Sequence, residues 1–240
     1  MHSFRARVTA VRDLTHDVRQ LGLTLVDPPD IRFTAGQFVS FEIDRAGSPF
    51  PATRPYSIAS SPNERTSIDL AFNRVPEGPG SGYLFGLQNG DDTTFKGPVG
   101  SFTLRDKPHD VLFVATGTGI APIRSMLWAL ADAGSTRHIT LYWGLRSERD
   151  VYYQDELAVL RNRLPRFSST TTLSQPSDSW RGAIGRVVPL VVKEITSVAN
   201  LDVYLCGNGS MIRDVRDAIR RKGLCPIYTE QYYAGDSALP

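Results

Sequence analysis

Short alternations of apolar and polar residues fill the first 107 residues, and this period-two pattern is typical of half-buried β-strands. Turn signals such as Pro28-Pro29 and Asn89-Gly90-Asp91 separate the runs, and a short helix is predicted near Ser81–Leu87. Strands of this number and spacing predict a closed or nearly closed antiparallel β-barrel. The predicted strands are Phe4–Val11, Val18–Leu25, Gly36–Ile43, Arg54–Ala59, Ser67–Asn73 and Asp92–Lys96.

After Lys107-Pro108 the pattern changes to short, continuous apolar runs that alternate with segments of helical periodicity. Gly134 and Gly223 are expected to end two of the helices. This alternation predicts a parallel sheet covered by helices on both faces. The predicted strands are Val111–Ala115, Ile139–Trp143, Phe167–Leu173, Val203–Cys206 and Tyr228–Tyr232, and the predicted helices are Ala121–Ala133, Asp155–Arg163, Val187–Glu194 and Ser210–Lys222.

The predicted fold class is therefore two-domain, all-β plus α/β. An antiparallel β-barrel domain is expected at residues 1–107, and a parallel-sheet domain is expected at residues 108–240.

Composition narrows the possible functions. The 240 residues carry a net charge of only +2, which gives no case for a dedicated nucleic-acid binder. We expect a soluble cytoplasmic protein without membrane insertion, because the sequence has neither a long apolar run nor the apolar core of a signal peptide. Two cysteines are too few for an iron–sulfur cluster, so no metal centre is expected, and Cys225 is interpreted as a buried structural residue.

The run Arg54-Pro55-Tyr56-Ser57 combines side chains suited to a phosphate-bearing heterocycle. An arginine pairs with phosphate, a tyrosine ring lies on a flat ring system, and a serine hydroxyl donates to a ring nitrogen, while Pro55 stiffens the backbone. The alternative is an edge strand with a surface arginine and a core tyrosine. The downstream run Gly97–Phe102 (GPVGSF) favours the ligand site.

At the start of the short predicted helix, the glycine-rich run that includes Gly80, Ser81 and Gly82 indicates an anion-binding turn. Backbone N–H groups at such a turn point toward an anion, and the helix dipole assists them, which suits a diphosphate. The alternative is a flexible loop, which is a common role for this composition.

Thr116-Gly117-Thr118-Gly119 lies between a predicted buried strand and a predicted helix. That is the position of a dinucleotide-binding loop, in which glycines let the backbone approach a pyrophosphate. The alternative is a tight turn that needs positive φ.

A second strand-to-helix junction contains Cys206-Gly207 at the carboxyl end of the predicted sheet. A thiol there can pack against a nicotinamide ring, although a free cysteine is also a common core residue. Arg146 follows the second predicted strand of the sheet, where a cation can bind the 2′-phosphate of NADPH, and Arg186 can reach the same place. The alternative is that both are surface arginines. Because the acids Glu148 and Asp150 are nearby, the sequence does not decide between NADPH and NADH as the preferred dinucleotide.

In this order the motifs resemble the ferredoxin–NADP reductase family over nearly the whole chain. Arg54–Ser57 resembles its RxYS motif and Gly97–Phe102 its GPxGxF motif. Thr116–Pro122 resembles its nicotinamide-side loop, Leu205–Asn208 the LCGN of its bacterial members, and Thr229–Tyr233 their C-terminal acid followed by aromatic residues.

The resemblance implies an FAD-binding barrel domain and an NAD(P)-binding domain, whose cofactors would meet where the domains meet. It implies that Arg54 binds the FAD diphosphate, that Tyr56 stacks on the isoalloxazine and that Ser57 lies near flavin N5. It also implies that Glu230 influences proton transfer. A terminal tyrosine, Tyr232 or Tyr233, would shield the flavin.

The implied activity is hydride transfer from NADPH or NADH to FAD, with Ser57, Cys206 and Glu230 as the catalytic residues. Electrons would then pass singly to a small acidic redox protein such as ferredoxin or flavodoxin, or to an oxygenase component. The alternatives are a flavin reductase that releases reduced free flavin, and a redox-sensing module without turnover. Gln175 stands where a third phosphate-binding arginine is expected, and the tail Ala234–Pro240 either covers the flavin or is disordered.

Overall fold

A computed structural model of the chain describes residues 2–44 and 49–233, so the tail Ala234–Pro240 lies outside the described residues. The chain divides into two compact units. The first comprises Met1–Leu104 together with Arg124–Ala129, and the second comprises Arg105–Ile123 together with Leu130–Pro240.

The first unit contains a six-stranded antiparallel sheet in the order β4-β3-β6-β1-β2-β5. Its strands are β1 (His2–Asp13), β2 (Val18–Asp27), β3 (Phe38–Ile43), β4 (Ala52–Ser57), β5 (Ser67–Asn73) and β6 (Asp92–Val99). The two edge strands meet, because Ile58 just beyond β4 forms a β-bridge with Leu70 of β5. The Ala59 N–H also donates to the carbonyl of Asp69 at 2.8 Å. The predicted nearly closed barrel is therefore confirmed.

Inward-facing side chains of this sheet form one apolar core, in which Phe41, Phe95 and Leu70 are almost fully buried. Helix α1 (Pro79–Gly86) contributes Leu84 to the same core. The helix begins two residues before the predicted Ser81, because Pro79 has the φ that a first helical turn requires.

The second unit contains a six-stranded parallel sheet in the order β10-β9-β8-β7-β11-β12. Its strands are β7 (Asp110–Thr116), β8 (Ile139–Leu145), β9 (Phe167–Leu173), β10 (Ala183–Ile184), β11 (Leu201–Asn208) and β12 (Ile227–Tyr233). Its helices are α2 (Ile120–Asp132), of which Arg124–Ala129 groups with the first unit, α3 (Gln154–Arg163), α4 (Val187–Glu194) and α5 (Gly209–Lys222). Strand β10 was not predicted, because two residues show no periodicity.

Both faces of the parallel sheet are covered. On one face, Val114 and Leu205 pack in a cluster with residues of α4 and α5. The alternate residues Phe113, Trp143 and Tyr204, which point to the other face, are fully buried as well. Continuous apolar strands such as β7 are the sequence signature of this burial, and the predicted parallel α/β unit is confirmed.

The strand order places a topological switch point between β7 and β11. From β7 the chain continues to β8 and β9 on one side, and it later returns to β11 and β12 on the other side. Ligands of open α/β sheets bind at the carboxyl ends of the strands at such a point. Among the described residues, no helix combines the length and the apolar character needed to cross a membrane.

Candidate functional site

The barrel places two of the predicted cofactor residues, Arg54 and Tyr56, against a third, Gly80. Arg54 and Tyr56 alternate with Pro55 along β4 and so lie on the same face of the strand. A methyl group added at Gly80 would lie 2.5 Å from the Tyr56 hydroxyl and 2.8 Å from the Arg54 Cγ. The first turn of α1 therefore lies directly against both side chains, and this approach requires glycine.

Aromatic neighbours hold the Tyr56 ring in place. Its edge contacts are with Phe41 at a centroid distance of 5.8 Å and with Phe72 at 5.3 Å, both in T-shaped geometry. Tyr56 is half-buried, whereas Arg54 and Pro55 are exposed and Ser57 is buried. The Arg54 guanidinium donates to the carbonyl of Thr53 at 2.9 Å. The structure thus gives a fixed ring beside an exposed cation.

The first turn of α1 has the donor set of an anion site. Its N-cap residue is Gly78, which has no side chain to cap the N–H groups of Gly80 and Ser81, and the first turn contains no acid. A methyl group at Gly82 would meet nothing within 4 Å. Uncapped N–H groups at the positive end of a helix, beside an arginine, suit a diphosphate. The residues therefore fit the FAD that the sequence predicted.

Ser81 has a local structural task. Its hydroxyl accepts the N–H of Val75 at 3.0 Å and lies within donor distance of the Val75 carbonyl at 3.1 Å. These bonds hold the turn that leads into α1. A direct contact between Ser81 and a cofactor stays a prediction, as do the other assigned ligand contacts.

Two arginines that the sequence analysis missed support the far end of α1. The Arg19 guanidinium donates to the Phe85 carbonyl at 2.8 Å and lies 4.7 Å from the Phe85 ring centroid. The Arg74 guanidinium lies 4.4 Å from the same centroid. Arg19 is 66 residues from Phe85, and Arg74 lies outside any periodic segment that includes Phe85. The sequence therefore gives no signal of these contacts.

In the parallel sheet, two glycine loops pack directly against each other at the switch point. One is Thr116–Gly119, which ends β7 in a 3₁₀ turn, and the other follows Cys206 at the end of β11. A Cβ at Gly119 would overlap the carbonyl of Cys206, with 2.6 Å to the Cys206 carbonyl carbon. A Cβ at Gly207 would overlap the Thr116 hydroxyl. These two glycines therefore permit the close approach of the loops themselves.

A hydrogen bond joins the same two loops. The Thr116 hydroxyl accepts the N–H of Asn208 at 2.9 Å. Asn208 in turn caps α5, because its side-chain oxygen accepts the N–H of Ser210 at 2.8 Å. Thr118 is buried beside them, whereas Gly117 has φ of +52° and open space where a Cβ would stand. The open side of the paired loops is thus at Gly117.

Cys206 and Glu230 are neighbours across β11 and β12, where they are paired in register. The thiol is fully buried, and burial raises its pKa well above the usual 9.0. The charge of Glu230 raises that pKa further, while a hydrogen bond with Tyr232 lowers it. Cys206 is therefore a neutral, apolar thiol at physiological pH.

The other C-terminal predictions have mixed outcomes. Tyr232 is half-buried, and Tyr233 ends β12, but the side chain of Tyr233 lies outside the described residues. Cys225 was interpreted as a buried structural residue, and the structure shows it only half-buried. It precedes β12 and packs at the margin of the cluster formed with α4 and α5, which leaves part of its surface exposed.

Arg146 follows β8, and its Nε donates to the Gln175 side-chain oxygen at 3.0 Å. The Gln175 N–H also donates to the Arg146 carbonyl at 2.7 Å, so the loops after β8 and β9 are joined. Arg186 is exposed and precedes Val187. A methyl group at Gly144 would lie 3.2 Å from the Val187 Cβ and 3.4 Å from the Thr116 Cγ2, so this segment lies near the β7 loop.

The two acids that made the charge of this edge uncertain have local partners. Glu148 accepts the N–H of Ser177 at 2.9 Å and its hydroxyl at 2.6 Å, and the hydroxyl bond lowers the pKa of Glu148. Asp150 accepts the N–H and hydroxyl of Ser147 in a capping box. Both carboxylates serve turns, while Arg146 is paired with a neutral amide.

Comparison with known proteins matches two different family models to successive parts of the chain. Residues 5–104 match the family model described as an oxidoreductase FAD-binding domain, and residues 113–217 match the oxidoreductase NAD-binding domain. The chain is 38% identical over 240 residues to ferredoxin–NADP reductase B of Sorangium cellulosum (strain So ce56), covering 95% of this chain and 97% of the relative.

Two further similarities are to proteins named as reductases. The reductase component of a naphthalene 1,2-dioxygenase/salicylate 5-hydroxylase system from Ralstonia sp. is 30% identical over 95% of this chain and 69% of its own length. The crystal structure of Amycolatopsis cytochrome P450 reductase GcoB superposes with a TM-score of 0.85 at 30% identity, covering 96% of this chain and 69% of that one. The expected cofactor classes, FAD and a nicotinamide dinucleotide, are confirmed by the two domain matches.

Proposed function

Because the chain belongs to the ferredoxin–NADP reductase family, we propose that it takes hydride from NAD(P)H onto bound FAD and passes single electrons to a separate redox protein. Members of this family are oxidoreductases, and the chain is accordingly a flavoprotein of NAD(P)H-dependent electron transfer, as the motifs predicted. Relatives named as ferredoxin reductases and oxygenase reductase components support ferredoxin or an oxygenase component as the acceptor, and flavodoxin stays a prediction.

One observation carries the proposal. At the switch point of the sheet, a buried neutral thiol, Cys206, lies beside the carboxyl-bearing Glu230 at the ends of two parallel strands. A hydride-transfer site needs an apolar surface for the nicotinamide and a group that can hold a proton nearby. Bound FAD supplies a ring system that accepts hydride and releases electrons one at a time, which no side chain does.

The barrel residues hold the flavin in this proposal. Arg54 and the uncapped first turn of α1, with Gly80 and Gly82, bind the diphosphate. Tyr56 presents a fixed ring to the isoalloxazine, and the buried Ser57 provides a hydroxyl donor toward N5. Pro55 limits the movement of the strand between them.

The sheet residues hold the dinucleotide. The loop Thr116–Gly119 presents backbone to the pyrophosphate on its open side at Gly117, Gly207 allows this loop to pack against the end of β11, and the fully buried Cys206 lies behind the surface that receives the nicotinamide. Glu230 holds or moves a proton at its carboxylate, and Tyr232 and Tyr233 shield the ring from water. Arg146 and Arg186 favour NADPH over NADH, because a guanidinium attracts the 2′-phosphate that only NADPH carries, and the Arg146 side chain is bonded to the neutral amide of Gln175.

An anaerobic absorbance titration of the purified protein with NADPH, and separately with NADH, tests the proposal. We expect a bound-flavin spectrum that either nucleotide bleaches, with NADPH effective at lower concentration. Filtration after reduction separates the free-flavin alternative, since reduced flavin in the filtrate would support release. A bound flavin that neither nucleotide bleaches would support the redox-sensing alternative.

Ser57→Ala sharpens this test, because the substitution removes one hydroxyl and leaves the strand intact. We expect FAD to stay bound while its reduction slows about tenfold, the equivalent of one hydrogen bond in the transition state. An unchanged rate of reduction would remove Ser57 from the proposed hydride-transfer site.

A further inference from the structure

The carbonyl of Gly117 receives two side-chain hydrogen bonds from the second unit. The Trp143 indole Nε1 donates to it at 3.0 Å, and the Tyr152 hydroxyl donates to it at 3.3 Å. Gly117 begins the 3₁₀ turn that follows β7. This turn lies within the segment that matches the NAD-binding domain model. Neither aromatic residue belongs to the loop, and neither was singled out by the sequence.

The orientation of this carbonyl also determines the direction of the next N–H. A trans peptide is planar, so the Thr118 N–H points opposite to the Gly117 carbonyl. With φ of +52°, Gly117 holds a conformation that side-chain-bearing residues rarely adopt. When Trp143 and Tyr152 hold the Gly117 carbonyl toward themselves, the Thr118 N–H is directed away from these two side chains.

The two donors form a rigid support. Trp143 is fully buried and Tyr152 nearly so, and their rings meet edge-to-face at 4.7 Å between centroids. Tyr153 packs on Tyr152 at 4.9 Å. On its other side, Gly117 has open space where a Cβ would stand. The conformation of the loop is thus controlled from the carbonyl side.

We infer that Trp143 and Tyr152 are positioning residues that hold the Gly117 loop in the form that binds the pyrophosphate of the dinucleotide. The inference rests on the proposed function, and it adds two residues that touch no cofactor. The Ile120 backbone N–H also donates to the Gly117 carbonyl within the 3₁₀ turn, so the two side chains reinforce a backbone bond, and either of them preserves the orientation of the peptide. Loss of one donor therefore has a small effect, and loss of both has an effect larger than the product of the two single losses.

Tyr152→Phe, Trp143→Phe and the double variant test this inference. We expect the Kd for NADP⁺, measured from flavin difference spectra, to rise about twofold in each single variant and more than about tenfold in the double variant. FAD content and kcat at saturating nucleotide should change little. Tyr142→Phe is the matched control, because it removes a hydroxyl from a tyrosine of similar burial on the other face of the same strand.

The outcomes are distinguishable. Weaker nucleotide binding in the double variant at unchanged kcat supports the inference, whereas an unchanged Kd overturns it even if the melting temperature falls. If the double variant does not fold, β-(3-benzothienyl)alanine at position 143 keeps the shape of tryptophan without its N–H and replaces Trp143→Phe. If wild-type protein binds neither nucleotide, the proposed function itself fails and the inference fails with it.

Discussion

The two units contain the same kind of feature, a glycine at a cofactor-type turn, but what each glycine meets differs. In the barrel, Gly80 faces the Tyr56 hydroxyl and the Arg54 side chain. In the sheet, Gly119 faces the backbone of Cys206 and Gly207. A methyl group at Gly80 would displace the side chains that carry the ligand chemistry, whereas a methyl group at Gly119 would displace the backbone of a central strand. The barrel site is therefore specified by side-chain chemistry and the sheet site by backbone shape.

The most severe test of this comparison is Gly119→Ala. The added methyl group would overlap the Cys206 carbonyl in the middle of the sheet, so we expect a loss of about 3 kcal/mol or more in unfolding free energy. Denaturant unfolding measures it. The matched control is Gly117→Ala, which has open space and should lose only about 1–2 kcal/mol through its positive φ. Equal losses at the two positions would contradict the assigned role of backbone packing.

Arg54→Ala tests the opposite end of the comparison. Removing one exposed guanidinium should leave the fold stable but weaken FAD binding by about 2 kcal/mol, or roughly 30-fold, because a charge-assisted bond to the diphosphate is lost. Fluorescence titration of the apoprotein with FAD gives the Kd. Arg65→Ala is the control, since Arg65 forms an exposed ion pair with Asp30 in the same unit. The comparison breaks if both variants bind FAD equally.

Arg146→Ala tests whether a side chain contributes to dinucleotide binding in the sheet unit, in addition to the backbone of its glycine loops. We expect about tenfold weaker NADPH binding with little change for NADH, since only NADPH carries the 2′-phosphate. Stopped-flow reduction at varied nucleotide concentrations gives both constants. Arg149→Ala, on the neighbouring turn and largely exposed, should affect neither nucleotide. Equal weakening of the two nucleotides by Arg146→Ala would end the assignment.

The smallest expected effect is a pH dependence from Cys206. The folded-state pKa is raised well above 9.0, so the unfolded chain releases this proton first as the pH rises. The stabilisation is complete below the unfolded pKa and falls by up to about 1.4 kcal/mol per pH unit above it. Unfolding free energies from about pH 8 to about pH 10 should therefore decline more steeply in wild type than in Cys206→Ala. Parallel curves would show that the thiol ionises in the folded protein.

Much of the fold was predictable because it depends on local pattern. The strands Ser67–Asn73 and Phe167–Leu173 and the helix Val187–Glu194 have the predicted bounds, since apolar periodicity and flanking turn residues define them. The ends of other elements moved by a few residues, as at β1, which extends to Asp13. The two-residue β10 had no pattern to reveal it.

The candidate site was predictable only where a motif is local. Arg54–Ser57, which lies within β4, and Thr116–Gly119, which ends β7, were found because the residues of each motif are consecutive. The roles of Trp143 and Tyr152 were not found, because a buried aromatic residue in a strand or loop reads as core. Gln175 departs from the family pattern in the sequence. Its hydrogen bond to Arg146 forms only because β8 and β9 lie side by side.

The sequence by itself determined which segments are strands and helices, where one pattern replaces the other, and which short runs carry ligand chemistry. The tertiary structure decided which of those runs meet. Thr116 and Asn208 are 92 residues apart, yet they share a hydrogen bond because β11 lies beside β7. Strand order follows from the burial of whole faces and not from any local signal, so contacts across it, including those that require Gly119 and Gly207, appear only in the folded chain.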